Sequence, residues 1–267
     1  MTSIMDRFRL DGRVALVTGA AGHLGRAFSS TLAQLGAEVV LTDRAGTPLD
    51  ELARSLSDDH GVAAHAIGCD LEDAEARAAL VATASDRFAS VDVLVNNAAF
   101  VGTSELQGWA EPLARQSTET WRRAVEVNLT AAFDLCRDLA PTMSAGGVGS
   151  IVNIASIYGV VGPDWSLYEG TSMANPAAYG ASKAGLIHLT RYLATALAPR
   201  VRVNAITPGG IARGQASAFV ERYEAKTPLG RMATEDDLCG ALAYLAGDAS
   251  AYVTGTNLIV DGGWCAV

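Results

Sequence analysis

The 267-residue chain has only four cysteines, Cys69, Cys136, Cys239 and Cys265, widely scattered and without Cys-x-x-Cys spacing. That excludes a disulfide framework and a zinc knuckle, and no metal site is expected. There is no basic run, and the formal charge is −9. Nucleic acid is therefore not expected as a partner, since a phosphate backbone needs a positive footprint. Long apolar runs are also missing: stretches such as 14–21 and 91–99 are far too short to cross a bilayer, and no membrane association is expected. The first ten residues, MTSIMDRFRL, lack the apolar stretch and small-residue cleavage site of a secretion signal, so the expected location is cytoplasmic. No internal repeat, low-complexity tract or linker interrupts the sequence, which predicts one domain over residues 1–267.

What the chain does have is hydrophobic residues, 49% of the total against 18% charged. It is a globular sequence with a large core and not a disordered one. Short β-branched runs alternate with longer amphipathic stretches, which predicts an α/β fold, a doubly wound parallel sheet with helices on both faces. Strands are predicted at 13–18, 37–42, 62–69, 91–95, 149–155, 201–206 and 257–260. The clearest helix is predicted over 26–36, ending at Gly36. Two segments, 100–120 and 159–178, read as irregular. Both follow the carboxyl end of a predicted strand, the edge where open parallel sheets bind ligands.

VALVTGAAGHLGRAF, at 14–28, has the form of a strand, a glycine turn and a helix entry. Glycines permit close backbone approach to a pyrophosphate, and the helix N-terminus offers free N–H groups to it. A tight strand–helix turn that binds nothing would have a similar sequence. The second strand ends in Asp43, about 20 residues beyond the first glycine, where a carboxylate can accept both ribose hydroxyls of an adenosine. It would also repel a 2′-phosphate, so NAD is expected in preference to NADP, although the neighbouring Arg44 could tolerate a phosphate. Asp70 reads either as a contact to the adenine edge or as a helix N-cap for 71–82.

Tyr179 and Lys183 lie four residues apart in YGASK, on one face of a helix. A free phenol titrates near pH 10 and is a poor base at neutrality, and an adjacent ammonium favours its ionised form. Tyr-x-x-x-Lys is common on ordinary surface helices. Among the seven tyrosines, however, only Tyr179 has a lysine at this spacing. With Ser156 upstream, the set supplies what hydride transfer to a carbonyl needs, a hydrogen-bond donor to the developing alkoxide and then a proton.

Taken in order, TGAAGHLG (18–25), NNAA (96–99), VNLTAAF (127–133), IVNIAS (151–156), YGASK (179–183) and VRVNAITPGGI (201–211) resemble the motifs of the short-chain dehydrogenase/reductase family, in its short single-domain branch, from Gly12 to Gly263. The resemblance implies a Rossmann-type fold. It further implies that Ser156 holds the substrate oxygen, Tyr179 exchanges its proton, Lys183 lowers the tyrosine pKa and binds the nicotinamide ribose, and Asn128 holds a water in the proton relay. A polar residue kinking a helix is a compatible reading of Asn128. Cofactor contacts are implied for Gly19, Gly22, Leu24, Gly25, Asp43, Asp70, Leu71, Asn97, Ala98, Tyr179, Lys183, Pro208 and Ile211.

The sequence departs from the family pattern in three places. Glycines at 19, 22 and 25 are spaced more like those of the family's extended, sugar-nucleotide branch, with His23 either a phosphate-side donor or an exposed turn residue. Arg213 stands where the family usually has a threonine, and faces either solvent or an anionic substrate group. The stretch between Ser156 and Tyr179 is about ten residues longer than usual. This insertion carries Trp165, Tyr168, Glu169, Thr171 and Asn175, an aromatic face with donors and acceptors suited to a hydroxylated ring. It resembles loops of family members from bacterial cell-surface sugar pathways; a surface hairpin or an oligomer contact is the other reading. With Trp109 and Glu111 it points to a sugar-like small molecule, with Ser156, Trp165, Tyr168, Glu169 and Arg213 as candidate contacts. A reductase of a lipophilic ketone or 3-oxoacyl thioester is the alternative, and a non-catalytic nucleotide sensor is the alternative of another class. The apolar C-terminal segment with Trp264, together with the resemblance, predicts a homotetramer.

Overall fold

The computed structural model describes residues 3–101, 106–143 and 149–267. Seven strands, β1 (Val14–Thr18), β2 (Glu38–Asp43), β3 (Ala64–Gly68), β4 (Val93–Asn96), β5 (Gly149–Ile154), β6 (Val201–Pro208) and β7 (Asn257–Val260), form one sheet in the order β3-β2-β1-β4-β5-β6-β7. Every neighbouring pair is parallel. The helices are α1 (His23–Gln34), α2 (Leu49–His60), α3 (Ala74–Arg87), α4 (Thr118–Val125), α5 (Ala131–Met143), α6 (Ala177–Ala196), α7 (Ser217–Lys226) and α8 (Asp236–Ala246). None is long and apolar enough to cross a membrane among the described residues. The expected doubly wound Rossmann arrangement is present, and the strand boundaries shift by at most two residues.

The central strands read as unbroken apolar runs because both of their faces are covered. Side chains still alternate by strand pleat. Ala15, Val17, Val39, Leu41, Val93, Val95, Val152 and Ile154 meet α1, α2 and α8 through Phe28, Leu32, Leu52, Leu238 and Leu242. Leu16, Val40, Leu94, Ile151 and Val203 face α3, α5 and α6 through Leu80, Leu135, Leu139 and Leu193. Each buried leucine contributes about 1.5–3 kcal/mol of transfer free energy.

Helix α1 opens at His23, three residues before the expected start at 26, because Gly22 itself is the N-cap; it ends at Leu35, before Gly36 with its φ of +96°. The cap of α3 is Asp73, whose carboxylate accepts from Glu75 N at 2.8 Å. Asp70 is therefore not that helix's cap: it accepts from Glu72 N at 3.0 Å within the turn before it. Between α4 and α5 the chain makes a π turn, Glu126–Thr130, with Asn128 inside it. Arg77, 3% exposed, fixes that turn: its guanidinium pairs with Glu126 at 2.7 Å and Asp134 at 2.9 Å and donates to Leu71 O at 2.7 Å. The order of strands reverses between β1 and β4, and the loops leaving their carboxyl ends open the crevice where such sheets take ligands.

Candidate active site

At the carboxyl end of β1, Thr18 is 1% exposed and its hydroxyl accepts from Asn97 N and Ala98 N, both at 3.0 Å. Asn97 returns its side-chain amide to Thr18 O at 2.9 Å. These bonds hold the NNAA segment against the glycine turn. At Gly19, φ is +65° and a Cβ would lie 2.8 Å from Ala98 Cα; at Gly25 a Cβ would overlap the Gly19 carbonyl. Side chains are thus excluded from a backbone cradle. The first bond within α1 is Arg26 N to Gly22 O, at 2.9 Å. The amides of His23, Leu24 and Gly25 precede it, and no carboxylate sits in that first turn, so the helix end keeps its positive potential for an anion. His23 is exposed and lines the cleft.

Asp43 completes this end. Its two carboxylate oxygens accept from Ala21 N at 3.0 Å and Arg44 N at 2.8 Å. That fixes the carboxylate at the tip of β2 with lone pairs remaining. Asp70, Leu71, Asn97 and Ala98 line the same cleft, which has a volume of about 820 Å³ and runs on to Ser156, Tyr179, Lys183, Pro208 and Ile211. All thirteen residues named as cofactor contacts therefore line one cleft. Ile211 pairs in parallel with Ala233 through its neighbours, Ala233 N to Gly210 O and Ala212 N to Ala233 O, both 2.9 Å. Its own amide stays outside the pair.

Lys183 is 2% exposed, and its ammonium donates to Ile154 O at 2.6 Å. Burial pulls its pKa down from 10.5 to about 8. Among the described residues no carboxylate pairs with it. An ammonium has three donors, and those beyond the Ile154 bond suit ribose hydroxyls. Its nitrogen lies 5.9 Å from the ring centroid of Tyr179, one turn below on α6. The Tyr179 phenol is pushed above its ordinary value by burial, while the Ser156 hydroxyl, hydrogen-bonded to it, and the charge of Arg213 act in the opposite direction. The acidified phenol expected from the sequence is thus not a property of the protein alone, because desolvation wins before a ligand brings further charge. Glycine cradle, bare helix end, fixed carboxylate and unpaired buried ammonium together fit a nicotinamide dinucleotide.

A second cavity of about 460 Å³ adjoins the cleft, and Ser156 and Tyr179 line both. Tyr168 and Asn175 of the insertion reach it, and Trp109 does so from the loop after β4. Tyr168 is held by the hydroxyl of Tyr158 at 2.6 Å. Three of the candidate substrate contacts lie elsewhere. Trp165 is 58% exposed on a 3-10 turn whose periodicity sends Leu167 inward, and it meets the cavity residue Tyr168 in a tilted ring contact, 5.8 Å between centroids. Glu169 is exposed and engages Arg222 through its carbonyl, at 2.6 Å. Arg213 pairs with Glu235 at 3.1 Å and lines the dinucleotide cleft instead. Glu111 turns back to Gly108 N at 3.0 Å. Asn128 lines neither cavity. It is 2% exposed, accepts from Phe100 N at 2.6 Å and donates to Ser182 Oγ at 3.0 Å, so its side chain ties the loop after β4 to α6.

Sequence reasoning missed Thr18, Tyr158, Gln215, Phe219, Tyr223 and Met232. Only Phe219 and Tyr223 left a trace, an i,i+4 aromatic pair on α7. Tyr223 donates its hydroxyl region to the site by accepting Gly210 N at 2.6 Å, and its ring stacks on Trp264 with centroids 4.4 Å apart. Trp264 is therefore partly covered within its own chain.

The fold and cleft define a dinucleotide-dependent oxidoreductase, and comparison with known proteins agrees. The family model described as enoyl-(acyl carrier protein) reductase matches residues 19–265. The chain is 39% identical over 260 residues to cis-4-hydroxycyclohexanecarboxylate dehydrogenase of Sinomonas cyclohexanicum, covering 96% of this chain and 97% of that one. It is 34% identical over 263 residues to D-threitol dehydrogenase of Mycolicibacterium smegmatis, covering 96% and 94%. The crystal structure of a gluconate 5-dehydrogenase from Burkholderia cenocepacia, in complex with NADP and tartrate, matches with a TM-score of 0.87 at 31% identity, over 99% of this chain and 100% of that one. The chain belongs to the short-chain dehydrogenase/reductase family. It is an NAD(P)-dependent oxidoreductase that interconverts a hydroxyl and a carbonyl by hydride transfer.

The depressed pKa of Lys183 has a measurable consequence. Between its folded value of about 8 and the unfolded 10.5, the unfolded chain binds more protons, so stability rises with pH across that window. Lys183→Met lacks this contribution. Urea unfolding of the two proteins is expected to show the parent gaining on the variant from about pH 8 to 10.5, with a constant difference below; parallel curves throughout would refute it.

Proposed function

We propose that the protein is an NAD-preferring dehydrogenase of a sugar or sugar-derived substrate, oxidising a secondary or anomeric hydroxyl to the carbonyl or lactone, with the whole chain acting as one dinucleotide-binding and catalytic domain. The observation that carries this reading is that Ser156 and Tyr179 wall both the dinucleotide cleft and the adjoining cavity. A substrate in the smaller cavity would meet the nicotinamide end of the larger one at those two side chains.

When bound, the nicotinamide supplies the hydride acceptor, or the donor in reduction. The chain's own residues manage the oxygen and its proton. Ser156 Oγ holds the substrate oxygen in line, and Tyr179 takes the hydroxyl proton in oxidation or returns it in reduction. A phenol raised by burial is held protonated, ready as the acid. Lys183 and Arg213 bring positive charge to favour its loss. Lys183 would also hold the nicotinamide ribose, and Asn128 positions α6 and the loop after β4 through Ser182 and Phe100. The amides at the start of α1 would hold the pyrophosphate, Asp70 and Leu71 would hold the adenine end, and the Ile211 amide would serve the carboxamide.

Asp43 supports NAD: a fixed carboxylate accepts ribose hydroxyls and repels a 2′-phosphate. Arg44 lines the same cleft, and NADP is therefore the weaker ligand but not a forbidden one. A homotetramer in the cytoplasm completes the proposal. Its support is the set of aromatic side chains left on α4, α5 and α6, with Trp121 43%, Phe133 39% and Tyr192 63% exposed.

Tyr179→Phe is expected to keep NAD affinity within a few-fold while turnover falls by about 100-fold or more. Activity close to that of the parent would show that another group moves the proton. For Asp43→Ala, fluorescence titration with both reduced cofactors should show NADH binding weakened and the gap to NADPH narrowed; an unchanged ratio refutes the ribose contact. Light scattering on eluted protein should give about four times the 27.7 kDa chain mass, and a monomer at micromolar concentration excludes the assembly.

A further inference from the structure

Every polar group lining the 460 Å³ cavity is neutral: hydroxyls of Ser156, Tyr158, Tyr168 and Tyr179, the amide of Asn175, and their neighbours. Among the described residues, no lysine, arginine, histidine, aspartate or glutamate contributes to its wall. The surrounding cations are already engaged. Arg222 donates to the carbonyls of Ser166, Leu167 and Glu169 at 3.2, 3.4 and 2.6 Å. Lys226 pairs with Asp164, and Arg213 with Glu235 at 3.1 Å, on the cofactor side. The segments 1–2, 102–105 and 144–148 contain no lysine, arginine or histidine.

Several backbone donors around the cavity are also committed. Gly210 N is bonded to the Tyr223 hydroxyl at 2.6 Å, and Gly209 N to Val260 O at 2.9 Å. At the start of α6, Ala177 N donates to Gln116 Oε1 at 3.0 Å. The remaining wall is apolar, built from Trp109, Ile157, Met173, Phe219 and Met232. An anionic substrate entering here would exchange water for apolar walls and neutral dipoles, with no cation among the described lining residues to pair with it, and an unpaired charge in such a site is strongly disfavoured. A neutral alcohol loses little, since hydroxyl and amide groups can each donate and accept.

Building on the dehydrogenase reading above, we infer that this site selects uncharged alcohols and rejects sugar acids, hydroxy acids and phosphorylated sugars. Selection acts on the part of the substrate remote from the reacting carbon, where Tyr168 and Asn175 offer neutral hydrogen bonds and the aromatic walls cover C–H faces. Tyr158 acts through Tyr168, holding its hydroxyl toward the cavity.

The test is steady-state oxidation with NAD by the unaltered protein, using pairs matched at the reacting carbon: 1,4-cyclohexanediol against 4-hydroxycyclohexanecarboxylate, and galactitol against galactonate. The neutral member of a pair is expected to have a kcat/KM higher by about 100-fold, the cost of desolvating an unpaired carboxylate. Equal use of both members, or preference for the acid, overturns the selectivity while leaving the dehydrogenase reading intact. No turnover of these pairs or of any neutral alcohol in a broad panel, by protein that binds NADH, overturns the dehydrogenase reading and the selectivity with it.

Discussion

A buried ammonium bonded to one backbone carbonyl holds this site together. Lys183 Nζ reaches Ile154 O at 2.6 Å, so the first turns of α6 are tied to the last residue of β5. Ser156 follows two residues beyond that carbonyl and Tyr179 one helical turn before the lysine, and the same bond brings both hydroxyls to the junction of two cavities. Gly159, just past Ser156, allows the approach, since a Cβ there would lie 2.8 Å from the Lys183 carbonyl carbon. The cost is a charge in an apolar setting, visible in the lowered pKa of the lysine. A charge with no carboxylate beside it among the described residues is poised for a ligand that brings further acceptors.

Much of the rest of the site is held by neutral hydrogen bonds. Asn96, Asn153 and Thr190 form a buried ladder across β4, β5 and α6, with bonds of 2.8 and 2.9 Å. Thr18 performs the same office between β1 and β4. Arg77 supplies a charged clamp on the far side of the crevice. These groups touch no ligand, yet they set the spacing between the backbone segments that do. Rigid support of this kind keeps a reacting geometry within the narrow tolerance that proton transfer needs.

Much of this was legible in the sequence because it rests on local chemistry. Strand and helix periodicity, the glycine turn, the carboxylate ending β2 and the tyrosine–lysine pair all follow from spacing, and their side chains converge on one cleft. What stayed illegible depends on long-range packing. The insertion advertised Trp165 and Glu169 by residue type, but the 3-10 turn points them outward and turns Tyr168 in. The tie that the Asn128 side chain makes to Phe100 N and Ser182 Oγ was equally invisible in the sequence. Tyr223 and Met232 reach the cavity from elements far along the chain, and beyond the aromatic spacing of Phe219 and Tyr223 nothing in the sequence marks them. Trp264 gave no sign in the sequence that a ring 41 positions earlier in the chain stacks on one of its faces.

The π turn at Glu126–Thr130 has one more implication. A wider turn amounts to a residue inserted into an otherwise continuous helix, and it rotates everything beyond it by roughly 100°. α4 and α5 are therefore out of phase: α5 lays its apolar stripe of Leu135, Leu139 and Met143 on the sheet, while α4 directs Ala124 to the loop cluster around Trp109. Deleting a single residue there would restore a regular spiral and swing one of these two stripes off its target. The irregularity works as a phase shifter, letting one continuous rod serve two differently oriented surfaces.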